Sequence, residues 1–383
     1  MKIGAAATTV CCGMSLMLCA LMVPGSGQEK TYVVKVKDGV RYVHNIRPAL
    51  DKPVAGLAFV RKIGELDSKD PDRQFAAPMS VDEDDAGNLF VLDEKDCCVK
   101  KFSAERKLLR RFGRMGQGPG EFEYPMTVGV TAQGHVVVST MSSTFHVFDG
   151  DGTYVDRFNL PPYRGISPAV LGADRIVAYA FKNDGENERD NHVLAIFDFE
   201  GKLRREFGEP YLLDTARMTW NANFLSLTVD GEDNIFAAFS SVNRIEKYAQ
   251  TGELLLSIDR LLPFEVSYRY QKSSMEVGGR AVPYDQPDFT PVSRGIGVDA
   301  RGRIWVLCFR KAVSRSLKPE DYHPQDYLAF EVYDKEGVLL SRIPFPGEVA
   351  KFDNMTMHGN HLFFVDPVEE ACVYEYAVVD HND

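Results

Sequence analysis

The hydrophobic positions of the chain fall into a unit that recurs six times. Each unit reads as a short strand, a tight turn with Gly, Asp or Asn, a strongly apolar strand, a loop, a strand ending in an aromatic residue, a second tight turn and a last strand. The first turn and apolar strand read DAGNLFVLD, AQGHVVVST, GADRIVAYA, GEDNIFAAF, ARGRIWVLC and MHGNHLFFVD. Leu89, Val136, Ile176, Ile235, Ile304 and Leu362 stand at the same point of each. Third strands end on Phe102, Phe148, Phe197, Tyr248, Tyr333 and Tyr376, and fourth strands run to Phe112, Phe158, Phe207, Ile258 and Ile343. Short apolar runs bounded by turn residues predict strands buried on both faces. A supersecondary unit repeated at this spacing predicts a ring of blades.

The sixth unit has no fourth strand of its own, because the chain ends soon after its third. Leu57–Ile63 (LAFVRKI) carries the missing fourth-strand pattern, FVRKIG against LRREFG. The fold class that follows is all-β: a six-bladed β-propeller of four-stranded antiparallel blades over 57–383, closed by an N-terminal strand. Closure protects sheet edges that would otherwise pair with other chains. Ahead of the ring, 28–56 forms an extra hairpin packed outside, with arms from Tyr32 and Val40 around Asp38-Gly39, and a linker from Arg47 to Gly56.

Residues 1–27 stand apart from this pattern. Lys2 precedes an apolar run from Ile3 to Val23, and small residues then lead to a cut between Gly27 and Gln28. This is a signal-peptide pattern and predicts a secreted or periplasmic protein with no membrane span after cleavage. An uncleaved anchor is the alternative. Lipoprotein processing at Cys19 is disfavoured by the bulky Leu18. The formal charge is −11; losing Lys2 with the leader makes it −12. Such a surface excludes nucleic acid and anionic membranes as partners, since both need a basic face. Four cysteines remain beyond the leader, Cys97, Cys98, Cys308 and Cys372, too few for a disulfide framework. Cys97 and Cys98 are expected as small buried residues opening a strand rather than as a vicinal disulfide.

The sequence resembles the NHL-repeat family of six-bladed propellers. The likeness rests on RRFGRMGQGPGEFEYP at 110–125, VDEDDAGNLFVLD at 81–93, and NRIEKY at 243–248. As a whole the chain is similar to secreted bacterial six-bladed propellers, down to the hairpin with Lys37-Asp38-Gly39-Val40 ahead of the ring. The resemblance implies the fold and an extracytoplasmic binding role, with no one activity. Hydrolytic members of this broad class hold a metal at the starts of their inner strands. Here those positions read Met79-Ser80, Met126-Thr127, Ala169-Val170, Leu225-Ser226, Arg294-Gly295 and Met355-Thr356, mostly small or neutral with Asp353-Asn354 the one acidic exception, so no metal and no cofactor are expected.

Other candidate chemistry reads as structure. Gly113–Gly120 lacks the Lys-Ser/Thr and the helix of a phosphate loop and is expected to let the chain cross between blades. Asp82, Asp230 and Asp299 are expected to accept hydrogen bonds from the tight turns that follow them. His358 and His361 flank a turn and lack further metal ligands in sequence.

The loop lengths are more informative. Turns between strands one and two, and three and four, lie on one face of a propeller, and all are short here. The long segments belong to the other face: 182–192, 209–223, 260–293 and 310–327. They hold Tyr211, Arg217, Trp220, Tyr268, Tyr270, Tyr284, Phe289, Tyr322, His323 and Tyr327. Aromatic and Arg-rich loops favour recognition. The expected function is a binding or scaffold module, not an enzyme, that takes a protein or a small extracytoplasmic ligand as a monomer. Its face would comprise Arg114, Arg164, Arg217, Trp220, Tyr268, Tyr270, Arg294, His323, Asp353 and His358. The alternative is a channel-mouth hydrolase or lyase, using Arg114, Arg164, Arg294, Asp353 and His358.

Overall fold

The computed structural model describes residues 30–65, 74–160, 166–179, 192–314 and 317–381. Among these, the strands form six antiparallel four-stranded blades in a ring. From the channel outward, blade one is Pro78–Glu83, Leu89–Asp93, Cys98–Phe102 and Leu108–Phe112. Blade two starts at Pro125–Val130, blade three at Ile166–Leu171, blade four at Leu225–Val229, blade five at Ser293–Val298 and blade six at Asn354–His358. Second strands are almost wholly buried, as in Leu89–Asp93, Val136–Thr140 and Ile235–Phe239. Outer strands bury mainly their last aromatic residue. The six repeat anchors from Leu89 to Leu362 are each 0% exposed. A second strand lies between two neighbouring blades, so both its faces demand apolar side chains, and this is why its pattern does not alternate.

The joints between blades use one device. The glycine of a third-to-fourth turn seats the last apolar residue of the preceding blade. Gly152 (φ 80°) lies on Phe112, where a Cβ would come within 2.4 Å of the ring, and Gly252 (φ 82°) lies likewise on Phe207. The Leu108–Val130 stretch forms such a joint. Its Glu121 carboxylate accepts from the Gly118 amide at 3.0 Å and from Arg114 at 2.7 Å, which satisfies backbone that the glycines leave open.

The ring closes as its sequence suggests. Ala55–Ile63 pairs antiparallel with Cys372–Asp380, the register running from Val373↔Ile63 to Asp380↔Ala55. At this joint Arg106 occupies the place that glycine holds in the turns of blades two to five, at φ 65°. Its guanidinium donates to Glu83 at 2.7 Å and to Glu375 of blade six at 2.8 Å and 3.0 Å. All three side chains are at most 5% exposed. His361 joins the cluster through Glu83 at 2.6 Å. The hydrogen bond to Glu83 raises the imidazole above its ordinary value, against partial burial. Burial alone would raise Glu83; the bonds from His361 and Arg106 outweigh it and hold the carboxyl below its ordinary value.

Three elements differ from the sequence reading. The N-terminal hairpin, Tyr32–Lys37 and Val40–Asn45, extends blade four, because Val40–Asn45 pairs parallel with Leu254–Arg260. The stretch at 260–293 is no loop: Tyr268–Val277 and Arg280–Phe289 form a two-stranded hairpin. Asp230 and Asp299 do accept from their turns, but in blade one that role falls to Asp84. Asp82 instead accepts from the Val130 amide of blade two at 2.8 Å, and burial pushes its carboxyl up to about 6. The four cysteines beyond the leader are free and buried. The leader and the 182–191 part of the first long segment lie outside the described residues.

Two outcomes follow from the closing joint. Arg106→Gly suits the backbone but leaves Glu83 and Glu375 buried without their cation. Equilibrium unfolding should show a loss of about 3–5 kcal/mol; a variant as stable as the parent would contradict this role. The raised His361 stabilises the fold fully below its unfolded value of 6.5, and this contribution is lost as pH rises through the higher folded value. The depressed Glu83 contributes above 4.5 and loses its share as pH falls through its lower folded value. His361→Gln should therefore flatten the fall in Tm between about pH 6 and about pH 8, read by thermal melts across that range.

Candidate functional site

The long segments of blades three to five fold against one another on one face. In 209–223, Thr215 caps the helix Ala216–Ala222 by accepting from the Met218 amide at 3.2 Å. Asn223 folds the segment back by accepting from the Tyr211 amide at 2.8 Å and donating to the Tyr211 carbonyl at 3.0 Å. Trp220 packs on Phe224 at 4.7 Å, and its carbonyl accepts from the Tyr179 hydroxyl at 3.0 Å. It pins the segment to blades three and four. Tyr268 opens the protruding hairpin between Tyr211 and Phe289, at 5.5 and 5.6 Å, and donates to the Ser241 carbonyl at 3.1 Å. Burial raises its hydroxyl pKa. Trp220 and Tyr268 thus hold the loops in place, leaving Arg217 exposed and Tyr270 40% exposed. The Tyr270 hydroxyl meets that of Thr215 at 2.7 Å.

Between the base of this hairpin and blade five lies a cleft of about 570 Å³. Arg294, the second residue of the inner strand Ser293–Val298, lines it. The guanidinium lies 4.4 Å above the Phe352 ring and donates to the Phe352 carbonyl at 2.7 Å. A guanidinium has five N–H groups, so it can hold this carbonyl and still meet a second acceptor. Phe289, Phe309 and Tyr322 give the cleft apolar surface, while Glu265, Ser267 and Asp288 add polar groups. Asp288 pairs with Arg269 at 3.3 Å. Tyr322 stacks on Tyr327 at 5.2 Å. Its buried hydroxyl faces Arg294: burial raises its pKa, and the charge of Arg294 and a hydrogen bond with it oppose that rise.

The ten residues expected on one face are only partly brought together. Arg294 lines the cleft, and Asp353 follows the Phe352 that Arg294 rests on. Tyr268, Tyr270, Trp220 and Arg217 belong to the neighbouring loops. His323 is exposed ahead of the short helix Pro324–Tyr327. Arg114 is 80% exposed at the crossing between blades one and two, paired with Glu121. Arg164 lies outside the described residues. His358 belongs to the opposite face: it ends its inner strand beside the short turn to His361 and reaches Asp85 of blade one at 3.5 Å. His358 is therefore not among the ionisable groups on the long-loop side of the channel. Among the described residues no three His, Cys, Asp or Glu side chains are grouped as metal ligands. The cleft adds Phe309, Glu265 and Asp288, which loop composition did not single out. Phe309 ends a core strand whose apolar run looks like core throughout, and the two acids stand among many exposed ones.

Near the channel, inner strands of adjacent blades approach closely. A Cβ on Gly129 would come within 2.7 Å of Val170, and one on Gly297 within 2.5 Å of Met357. These glycines let the next blade's side chain lie directly on the backbone. The long-loop face, in contrast, carries a roomy and partly polar cleft.

No family model matches the chain, and no curated protein matches its sequence. Solved structures do. A member of the DUF4221 family from Bacteroides vulgatus superposes with a TM-score of 0.58 at 10% identity, covering 86% of this chain and 99% of its own. A candidate exported protein of Bacteroides fragilis superposes with a TM-score of 0.56 at 10% identity, covering 89% and 100%. At this identity the likeness is one of fold, and in fold the chain is a six-bladed β-propeller.

Proposed function

We propose that this NHL-like propeller is an exported binding module that takes its ligand in the cleft lined by Arg294. The observation that carries the reading is the Arg294–Tyr322 pair. A half-buried guanidinium and the buried hydroxyl beside it sit together among Phe289 and Phe309. Apolar walls with a few converging polar groups are the general form of a small-ligand site. An arginine held flat by an aromatic ring suits a carboxylate, which it binds with two parallel hydrogen bonds. The ligand class is therefore a small organic acid with an apolar body. Export is supported by the leader pattern of 1–27 and by the likeness in fold to the candidate exported protein of Bacteroides fragilis.

The test is a panel of apolar carboxylic acids, read by thermal shift and then by calorimetry. Arg294→Gln should weaken the best ligand about tenfold or more. Tyr322→Phe removes the hydroxyl that faces Arg294 in the cleft, so affinity should fall several-fold. Unchanged affinity in both variants, or no acid in the panel that shifts the melt, would refute the reading.

A further inference from the structure

The hairpin between blades four and five forms a two-stranded sheet of its own. Its arms, Tyr268–Val277 and Arg280–Phe289, have ten residues each, so it extends for roughly 30 Å. A two-stranded ribbon of this length has two edges of unpaired backbone groups, which proteins ordinarily blunt. Here the two edges are treated differently.

The arms turn at Gly278-Gly279, with φ of 60° and 76°. Two positive φ values in a two-residue loop define the turn that closes on a hydrogen-bonded pair, here Val277↔Arg280. Inward and outward backbone groups then alternate along each arm. On the second arm the outward positions are Ala281, Pro283, Asp285 and Pro287. Two of these four are prolines, which have no N–H to offer, so that edge is closed to strand addition. On the first arm the outward positions are Glu276, Ser274, Lys272 and Tyr270, and every one keeps its N–H. One edge is blocked and the other is left open.

We propose that the open edge of Tyr268–Val277 pairs with the same edge of a second copy of the chain, antiparallel about a two-fold axis at Ser274. That register sets Lys272 opposite Glu276 in both halves of the interface, and all four are outward positions that exchange backbone hydrogen bonds. Centring the pair on Lys272 or on Glu276 instead would set like charges against each other, which is unfavourable. A two-fold contact needs a self-complementary surface, and the alternation of Lys272, Ser274 and Glu276 about one serine is such a surface. Lys272 is 84% exposed, with its ammonium also on Asp285 of the second arm, and Glu276 is exposed. The result is a four-stranded sheet across two copies, with prolines at both of its outer edges.

Sedimentation of the purified protein at micromolar concentration tests this. The parent should be a dimer. Ser274→Pro should be a monomer, because proline removes outward N–H groups at the axis. It should leave the hairpin intact, since Pro283 already occupies the opposite position. Lys272→Glu should weaken the dimer about tenfold, and adding Glu276→Lys should restore it. This rescue separates the interface from the Lys272–Asp285 pair within the hairpin, at 2.6 Å, which the swap does not rebuild. A parent that stays monomeric at about 100 µM, a dimer indifferent to Ser274→Pro, or failure of the charge swap to rescue would each overturn the proposal. Capture of a foreign extended peptide on this edge by a monomeric parent would also overturn it.

Discussion

The closing joint is the constraint on which the ring depends. Five joints are made between blades that follow each other in sequence, while the sixth must bring strand Ala55–Ile63 to a partner made at the far end of the chain. Where the turns of blades two to five place glycine against an aromatic or aliphatic residue, the first blade places Arg106 between Glu83 and Glu375. An apolar joint tolerates small misalignments. A buried cation between two carboxylates does not, because any displacement leaves a charge without its partner in a medium that solvates it poorly. The cluster therefore favours one way of closing the ring, at the cost of desolvating three ionisable groups.

The rest of the molecule divides by face. Turns between first and second strands are short and bonded to their own aspartates, as at Asp84, Asp230 and Asp299. The other face carries the helix Ala216–Ala222, the long hairpin and the Arg294 cleft. The aromatics at the base of this face, Trp220 and Tyr268, keep the loops rigid, and a rigid cleft loses less entropy on binding. Trp220 and Tyr268 support the loops, while Phe289, Phe309 and Tyr322 line the cleft.

Much of the fold was legible because both faces of each second strand are buried. Leu89, Val136 and Ile235 could not stand in those runs unless the strand lay between two others. The turn glycines were legible too, since a left-handed backbone excludes most residues. Arg106 was not, because its turn reads as an ordinary polar one until Glu375 is brought from 269 residues away. The hairpin was missed for a different reason. Gln271, Lys272, Ser273 and Ser274 face no core, so no alternation marks them as strand. Of the candidate site, Arg294 was legible from its place at a strand start, but its separation from His358 depends on which end of a strand meets which face. Phe309 gave no signal, as it ends a run that is otherwise core.

The N-terminal hairpin and linker have a consequence for how the protein is made. Asn45 donates to the Gly337 carbonyl and accepts from the Leu339 amide, Ala49 bonds to Leu339, and Val54 bonds to Ser341. The first described segment thus runs along the outer strand of blade five and links blade four to blade six. Its partners lie 287 to 294 residues later. Contacts of such sequence separation form late and slowly. Because the chain grows from its N-terminus, this strap has nothing to bind until the last blades exist. Blades one to three can assemble as they emerge, while the strap waits for blade five and the closing strand for blade six. The ring is therefore completed only once Cys372–Asp380 has been made, and until then the nascent chain lacks its last blade and its closure.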